Sequence, residues 1–431
     1  LTTATTGPQA SPASRAQTER TQRQRGNLLG AVMSPDYLGD PEMRHNARVS
    51  LIDGMYYAAM VGMTAPFLAL AVIALGGNDY LVGLVATLPA LVALASQLPG
   101  AAIVEGEPSL LRSTLRFALA HRLLFLALAA VPLLALPGPG RAWALILLLA
   151  VMNVPATVCG VAWTAMMGQI YPTNLLGRVF GDRSMMCQLT TIAATLAAGW
   201  LIDAVPFPYN WSALFAICLG LVMMSWYYLA KMRVAPRVLT AGRRLPSIAA
   251  VRSERRFIRY TVGAFVYHAG FNLSIPVVNL LFVRRLGLTG GWIGVLATVS
   301  GLAMALTSRF WGRLADRLGN RAVLLRTMGG LAPLPLLFIG VHSPAMAIPL
   351  QMLAGVFTAG FMLLVFNTLL ETTPAHQRSG YVALFNGLMM ATGAAPMLGV
   401  ALYDRLGLAA ALAAATALRL VGWLWLRAKL D

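Results

Sequence analysis

The sequence predicts an all-α polytopic membrane protein, with twelve transmembrane helices in two pseudo-symmetric bundles of six. Three observations predict it. Apolar residues make up 58% of the 431-residue chain and charged residues only 11%, against about 25% charged in soluble domains. The apolar residues fall in blocks long enough to cross a bilayer, which takes about 20 residues each. Basic residues collect between alternate blocks, so the net charge of +18 reports membrane orientation. This composition excludes a soluble enzyme, a nucleic-acid binder and a disordered scaffold.

In chain order, a tail over 1–47, rich in Thr, Gln, Ser and Arg and without helical periodicity, is expected to be disordered and cytoplasmic. An N-terminal six-helix bundle follows over 48–231, with spans at 50–75, 79–104, 113–136, 142–168, 182–205 and 209–231. A cytoplasmic linker over 232–256 carries Arg233, Arg237, Arg243, Arg244, Arg252, Arg255 and Arg256. The C-terminal bundle occupies 257–431, with spans at 257–284, 290–314, 321–341, 345–370, 379–403 and 407–427. Proline and glycine inside several spans are tolerated in lipid.

Twelve crossings put both termini on one side. With the adjoining span ends, the segments of that side hold 28 of the 33 basic residues; the opposite side holds Arg141, Arg284, Arg285 and Arg405. Both termini are therefore expected in the cytoplasm, with the chain in the plasma membrane. Arg419 lies inside the last span, and its long side chain is expected to snorkel to the interface. The three cysteines, Cys159, Cys187 and Cys218, lie in apolar stretches and match neither a disulfide framework nor a metal site.

The halves repeat one another. Gly83-Leu84-Val85-Ala86-Thr87 aligns with Gly294-Val295-Leu296-Ala297-Thr298 at an offset of 211, which also pairs Glu105 with Asp316 and Tyr56 with Tyr267. Two parallel repeats imply a pseudo-two-fold axis along the membrane normal, with a site between the halves.

Between spans 8 and 9 the chain reads Gly312-Arg313-Leu314-Ala315-Asp316-Arg317-Leu318-Gly319-Asn320-Arg321. This resembles the signature loop of the major facilitator superfamily, and with the span count and the repeat the resemblance covers about 48–428. It implies that Gly312, Asp316, Arg317, Gly319 and Arg321 form a conformational latch between the halves. Glycine at 312 is expected to allow close helix approach. The first-half counterpart keeps an acid, Glu105, but loses the glycine and the nearby arginine. Weaker family-like loops follow spans 4 and 10, at Pro172–Arg178 and Pro374–Gly380. Gly393 to Gly399 in span 11 is expected to form a kinked, tightly packed helix.

The resemblance further implies that spans 1, 4, 7 and 10 line a central cavity. Tyr57, Met60 and Thr64 share one face of span 1 with Asp53, and Asn153, Thr157, Gly160 and Thr164 share one face of span 4. His268 and Asn272 lie four apart in span 7, as do Asn367 and Glu371 in span 10. These residues are the candidate substrate contacts, with Asp53, His268 and Glu371 as candidates for proton coupling, because ionisable groups inside a span are costly. Each has a structural alternative: Asp53 suits the first turn of its helix, His268 suits a neutral interhelical bond, and Glu371 an interfacial pair. The expected function is secondary transport of a small organic solute by alternating access, with proton coupling and export of amphiphilic compounds as finer expectations. A transporter-fold assembly factor or sensor is the alternative. No enzymatic activity, cofactor, metal or nucleic-acid partner is expected, and the partners are the solute and the bilayer around a monomer.

Overall fold

The computed structural model describes residues 37–236, 248–374 and 378–430, and these form helices and no strands. The sequence dictates helix here because lipid offers the backbone no hydrogen-bond partners, so each apolar block must satisfy its own amides. The first six spanning helices are α1 (Pro41–Ala74), α2 (Asp79–Glu105), α3 (Leu110–Leu133), α4 (Gly140–Ile170), α5 (Thr173–Ala204) and α6 (Tyr209–Leu229). A short helix at Ile248–Ser253 precedes α7 (Arg255–Arg285), α8 (Gly290–Leu318), α9 (Asn320–Gly340) and α10 (Pro344–Thr372). The remaining helix, Gly380–Lys429, runs for 50 residues. It breaks at Gly407, whose φ of 84° and ψ of 175° reverse the path without a loop. It is therefore long enough for two crossings, α11 (378–406) and α12 (408–429), so the eleven membrane-length helices of the described residues make twelve crossings.

Helix starts depart from expectation in two places. Helix α1 begins at Pro41 because Asp40 caps it, its carboxylate accepting from the Glu42 amide at 2.9 Å, with proline at the first helical position. The last seven residues of the expected tail, 41–47, are thus helical, while 1–36 lie outside the described residues. Helix α5 begins at Thr173, so the expected loop after Pro172 is already its first turn. In the linker, 237–247 lie outside the described residues, as do 375–377 of the loop before α11. A 3-10 turn at Thr392–Ala394 kinks α11 as expected, and a Cβ on Gly393 or Gly399 would collide with Ala90 or the Leu273 carbonyl.

The packing of the two halves differs between the two membrane faces. Toward the face opposite the termini, one apolar core runs through both halves, joining Phe67, Leu75, Val85 and Leu214 to Val277, Leu281, Val400 and Leu412. Toward the face bearing the termini the core divides. Val104, Leu110, Val158 and Met166 cluster in the first half, and Tyr260, Trp311, Leu324 and Phe361 in the second.

The repeated glycines sit on the shared side. A Cβ on Gly83 would lie 2.9 Å from Val400, bringing α2 onto α11, and one on Gly294 would lie 3.1 Å from the Thr195 carbonyl, bringing α8 onto α5. The motif that repeats at an offset of 211 is thus the seam between halves, where small residues let backbones approach.

Candidate functional site

Asp53 lies in the fourth turn of α1, roughly 18 Å along the helix from Pro41, not in its first turn. It is 4% exposed and the only buried carboxylate among the described residues. Three other helices converge on it. Ser225 of α6 donates to Oδ1 at 2.6 Å, and Arg122 of α3 donates to the same serine oxygen at 2.7 Å. Arg122 Nη2 lies 3.8 Å from Asp53 Oδ1, and Arg183 Nη2 of α5 lies 4.0 Å from Oδ2. Arg183 also donates to the Ser50 carbonyl at 3.2 Å and stacks over Trp163 of α4 at 4.7 Å. Arg122 Nε is buried without a hydrogen-bond partner among the described residues. A carboxylate deprived of water is thus held by two cations, one through a hydroxyl relay, at a meeting point of α1, α3, α5 and α6.

Reading the sequence alone missed Arg122, Arg183 and Ser225. The one-sided charge count takes in both arginines as topogenic residues of adjoining span ends. The available signal was the position of Arg122, twelve residues into α3, too deep for an orientation signal.

Of the expected cavity residues, Tyr57 is 40% exposed one turn beyond Asp53. Met60 is 5% exposed and belongs to the shared core instead. Thr64 turns its hydroxyl back onto the Met60 carbonyl at 2.9 Å, Thr157 onto Asn153 at 2.7 Å and Thr164 onto Gly160 at 2.8 Å. Asn153 likewise donates to the Leu149 carbonyl at 2.8 Å. These local bonds satisfy the polar groups in a membrane. Thr164 remains exposed toward the terminal end of α4.

In the second half, His268 bonds the Ala264 carbonyl at 2.9 Å through Nδ1 and packs on Phe361. Asn272 crosses from α7 to Thr392 of α11 at 2.8 Å. Asn367 and Glu371 of α10 both meet Asn320 of α9, at 3.3 and 2.6 Å. Asp53, His268 and Glu371 therefore occupy three separate places. Arg419 does not snorkel. It is 4% exposed and donates to the Gly270 and Leu331 carbonyls at 3.4 and 2.9 Å and to Ser274 at 2.5 Å, pinning α12 to α7 and α9.

At the expected latch, Gly319 takes φ +83° and turns the chain from α8 into α9, a conformation that favours glycine. Arg321 donates to the Arg427 carbonyl at 3.3 Å. Gly312 does not mark a close approach: a Cβ there would meet only Leu363, at 3.8 Å. Asp316 and Arg317 are exposed, and neither forms an ion pair among the described residues. Glu105 is exposed at the end of α2.

The face opposite the termini carries cross-half bonds. Both carboxylate oxygens of Asp203, at the end of α5, accept from the Gly290 and Gly291 amides that open α8, each at 2.8 Å. The charge suits the positive end of that helix. Arg284 of α7 bonds Asp79 of α2 at 2.9 Å and the Gly77 carbonyl at 3.3 Å.

On the terminal face, Tyr37 donates to Asp182 of α5 at 3.1 Å. Burial, with the Asp182 carboxylate adding to it, pushes the Tyr37 phenol up to about 12.

The family model described as Major Facilitator Superfamily matches residues 260–430. Multidrug resistance protein MdtG of Salmonella choleraesuis is 31% identical over 170 residues, covering 38% of this chain and 41% of that protein. The homologous protein of Salmonella typhi matches to the same extent. The match therefore spans well under two thirds of these relatives. Among solved structures, the nucleoside transporter NupG superposes with a TM-score of 0.67 at 10% identity, covering 89% of this chain and 98% of that one. A POT family transporter in complex with 5-aminolevulinic acid gives 0.69 at 12% identity, covering 91% and 97%. A bacterial homologue of the human lysosomal transporter Spinster, in an inward-facing and unoccupied conformation, gives 0.63 at 14% identity, covering 90% and 95%.

Proposed function

We propose that this chain, which belongs to the major facilitator superfamily, exports amphiphilic organic solutes across the plasma membrane in exchange for protons bound at Asp53. The observation that carries the reading is the asymmetry of the two faces. The halves share one core and cross-half bonds on one side, and hold separate cores on the other. A molecule built this way supports alternating access: the split face admits solute, and rocking of the halves exchanges which face is sealed. With both termini cytoplasmic by the charge distribution, the described state faces inward.

Asp53 supports coupling because it is a buried carboxylate whose partners, Ser225, Arg122 and Arg183, stand on three other helices. A small movement of α3, α5 or α6 therefore changes what holds it. Tyr57, exposed one turn away, offers an aromatic face to a solute beside that carboxylate. The names of the Salmonella relatives support a drug-like solute.

The test is proteoliposome flux with an amphiphilic fluorescent cation as probe. Wild-type protein should couple probe movement to proton flux. Asp53→Asn should abolish the coupled flux while retaining probe exchange between the two sides. Coupled flux that survives in Asp53→Asn overturns the assignment of the proton site. Absence of any solute movement, with a stable protein partner co-purifying, would favour an assembly factor.

A further inference from the structure

A groove of about 450 Å³ opens on the outer surface between α3 and α6, near the terminal face, lined by Ser109, Arg112, Leu115, Arg116, Leu119 and Trp226. It lies apart from the Asp53 cluster, and none of its residues enters the transport reading. Arg112 and Arg116 stand one turn apart on one face of α3. Both are exposed, and neither guanidinium forms an ion pair among the described residues. Trp226 closes the groove with its ring and spends its Nε1 proton on the Leu115 carbonyl at 3.0 Å. The same face of α3 continues toward the bilayer centre as Leu119, Leu123 and Leu126, the last two 53% and 64% exposed.

We propose that this groove is a binding site for an anionic phospholipid of the cytoplasmic leaflet. Two guanidinium forks at helical spacing match a phosphodiester, which each can grip through paired donors. The leucine track carries an acyl chain away from the phosphate into the hydrocarbon, and the tryptophan sits at the depth where such rings anchor. Head group and chain are thus recognised together, which a free phosphate cannot reproduce. The occupant would brace α3 against α6, the two helices that supply Arg122 and Ser225 to Asp53.

The purified full chain in detergent is titrated with phosphatidylglycerol, phosphatidylcholine and inorganic phosphate, and bound species are read by native mass spectrometry. Phosphatidylglycerol should bind in preference to phosphatidylcholine, and Arg112→Gln/Arg116→Gln should weaken it about tenfold. Arg309→Gln/Arg313→Gln, a pair of the same spacing on α8, should leave it unchanged. Leu123→Glu keeps both arginines and should also weaken the lipid, without altering phosphate binding. Equal affinity in the arginine double variant, or inorganic phosphate binding as tightly as the lipid, overturns the proposal. Displacement of the lipid by the amphiphilic transport probe would instead make the groove a solute site, and would overturn it too.

Discussion

Asp53 and Arg122 illustrate how a membrane interior prices charge. The two groups lie 3.8 Å apart and are bridged by Ser225, so each offsets part of the cost of burying the other. Arg122→Gln should therefore destabilise the folded protein by about 3 kcal/mol, since it leaves the buried carboxylate with the more distant Arg183 as its only cation. Adding Asp53→Asn should recover a large part of that loss, because the pair is then neutral. Thermal denaturation of the two single variants and the double variant measures the coupling, and strict additivity would show that the groups do not act as a pair. Arg419 is the second-half contrast. It also ties three helices, yet its partners are two carbonyls and a hydroxyl, with no carboxylate among the described residues. A bond set without a titratable partner is a fixed fastening, so Arg419 takes no part in the proposed proton coupling.

At the scale of helices, the seam between halves is made by small residues and one helix terminus. A Cβ on Gly199 would stand 2.6 Å from the Gly290 carbonyl, so Gly199→Val should force α5 from α8 and unseal the face opposite the termini. Asp203→Asn should weaken the same seal by about 1 kcal/mol, through loss of the charge at the start of α8. Both variants should raise labelling of a Tyr57→Cys thiol by an impermeant reagent added on that side, and unchanged labelling would show that the seam is not the gate. Much of this was legible in the sequence. The twelve spans follow from apolar blocks, and the Gly83 and Gly294 repeat signals two related halves, though not that these glycines form the seam between them. What stayed hidden has physical causes. The Asp40-Pro41-Glu42 signal for the start of α1 lay inside a segment whose polarity reads as a tail, so Asp53 was placed three turns too shallow. Arg183 looked like a loop charge because α5 begins at Thr173, nine residues before the apolar block does. No periodicity reveals that four helices aim polar side chains at one point.

Across the whole molecule, transport requires that the shared side open when the divided side closes. Asp79 and Arg284 span the halves at 2.9 Å, so Asp79→Cys/Arg284→Cys, in a background lacking Cys159, Cys187 and Cys218, should form a cross-link that stops solute flux. Reductant should restore it, and flux undiminished by the cross-link would exclude rocking about this face. The reversal at Gly407 adds a mechanical constraint. Because a single glycine joins α11 to α12, with no slack between them, α11 cannot tilt against α2 without dragging α12. That pull reaches the guanidinium staple at Arg419, so in the proposed cycle α11 and α12 turn together as one stiff lever.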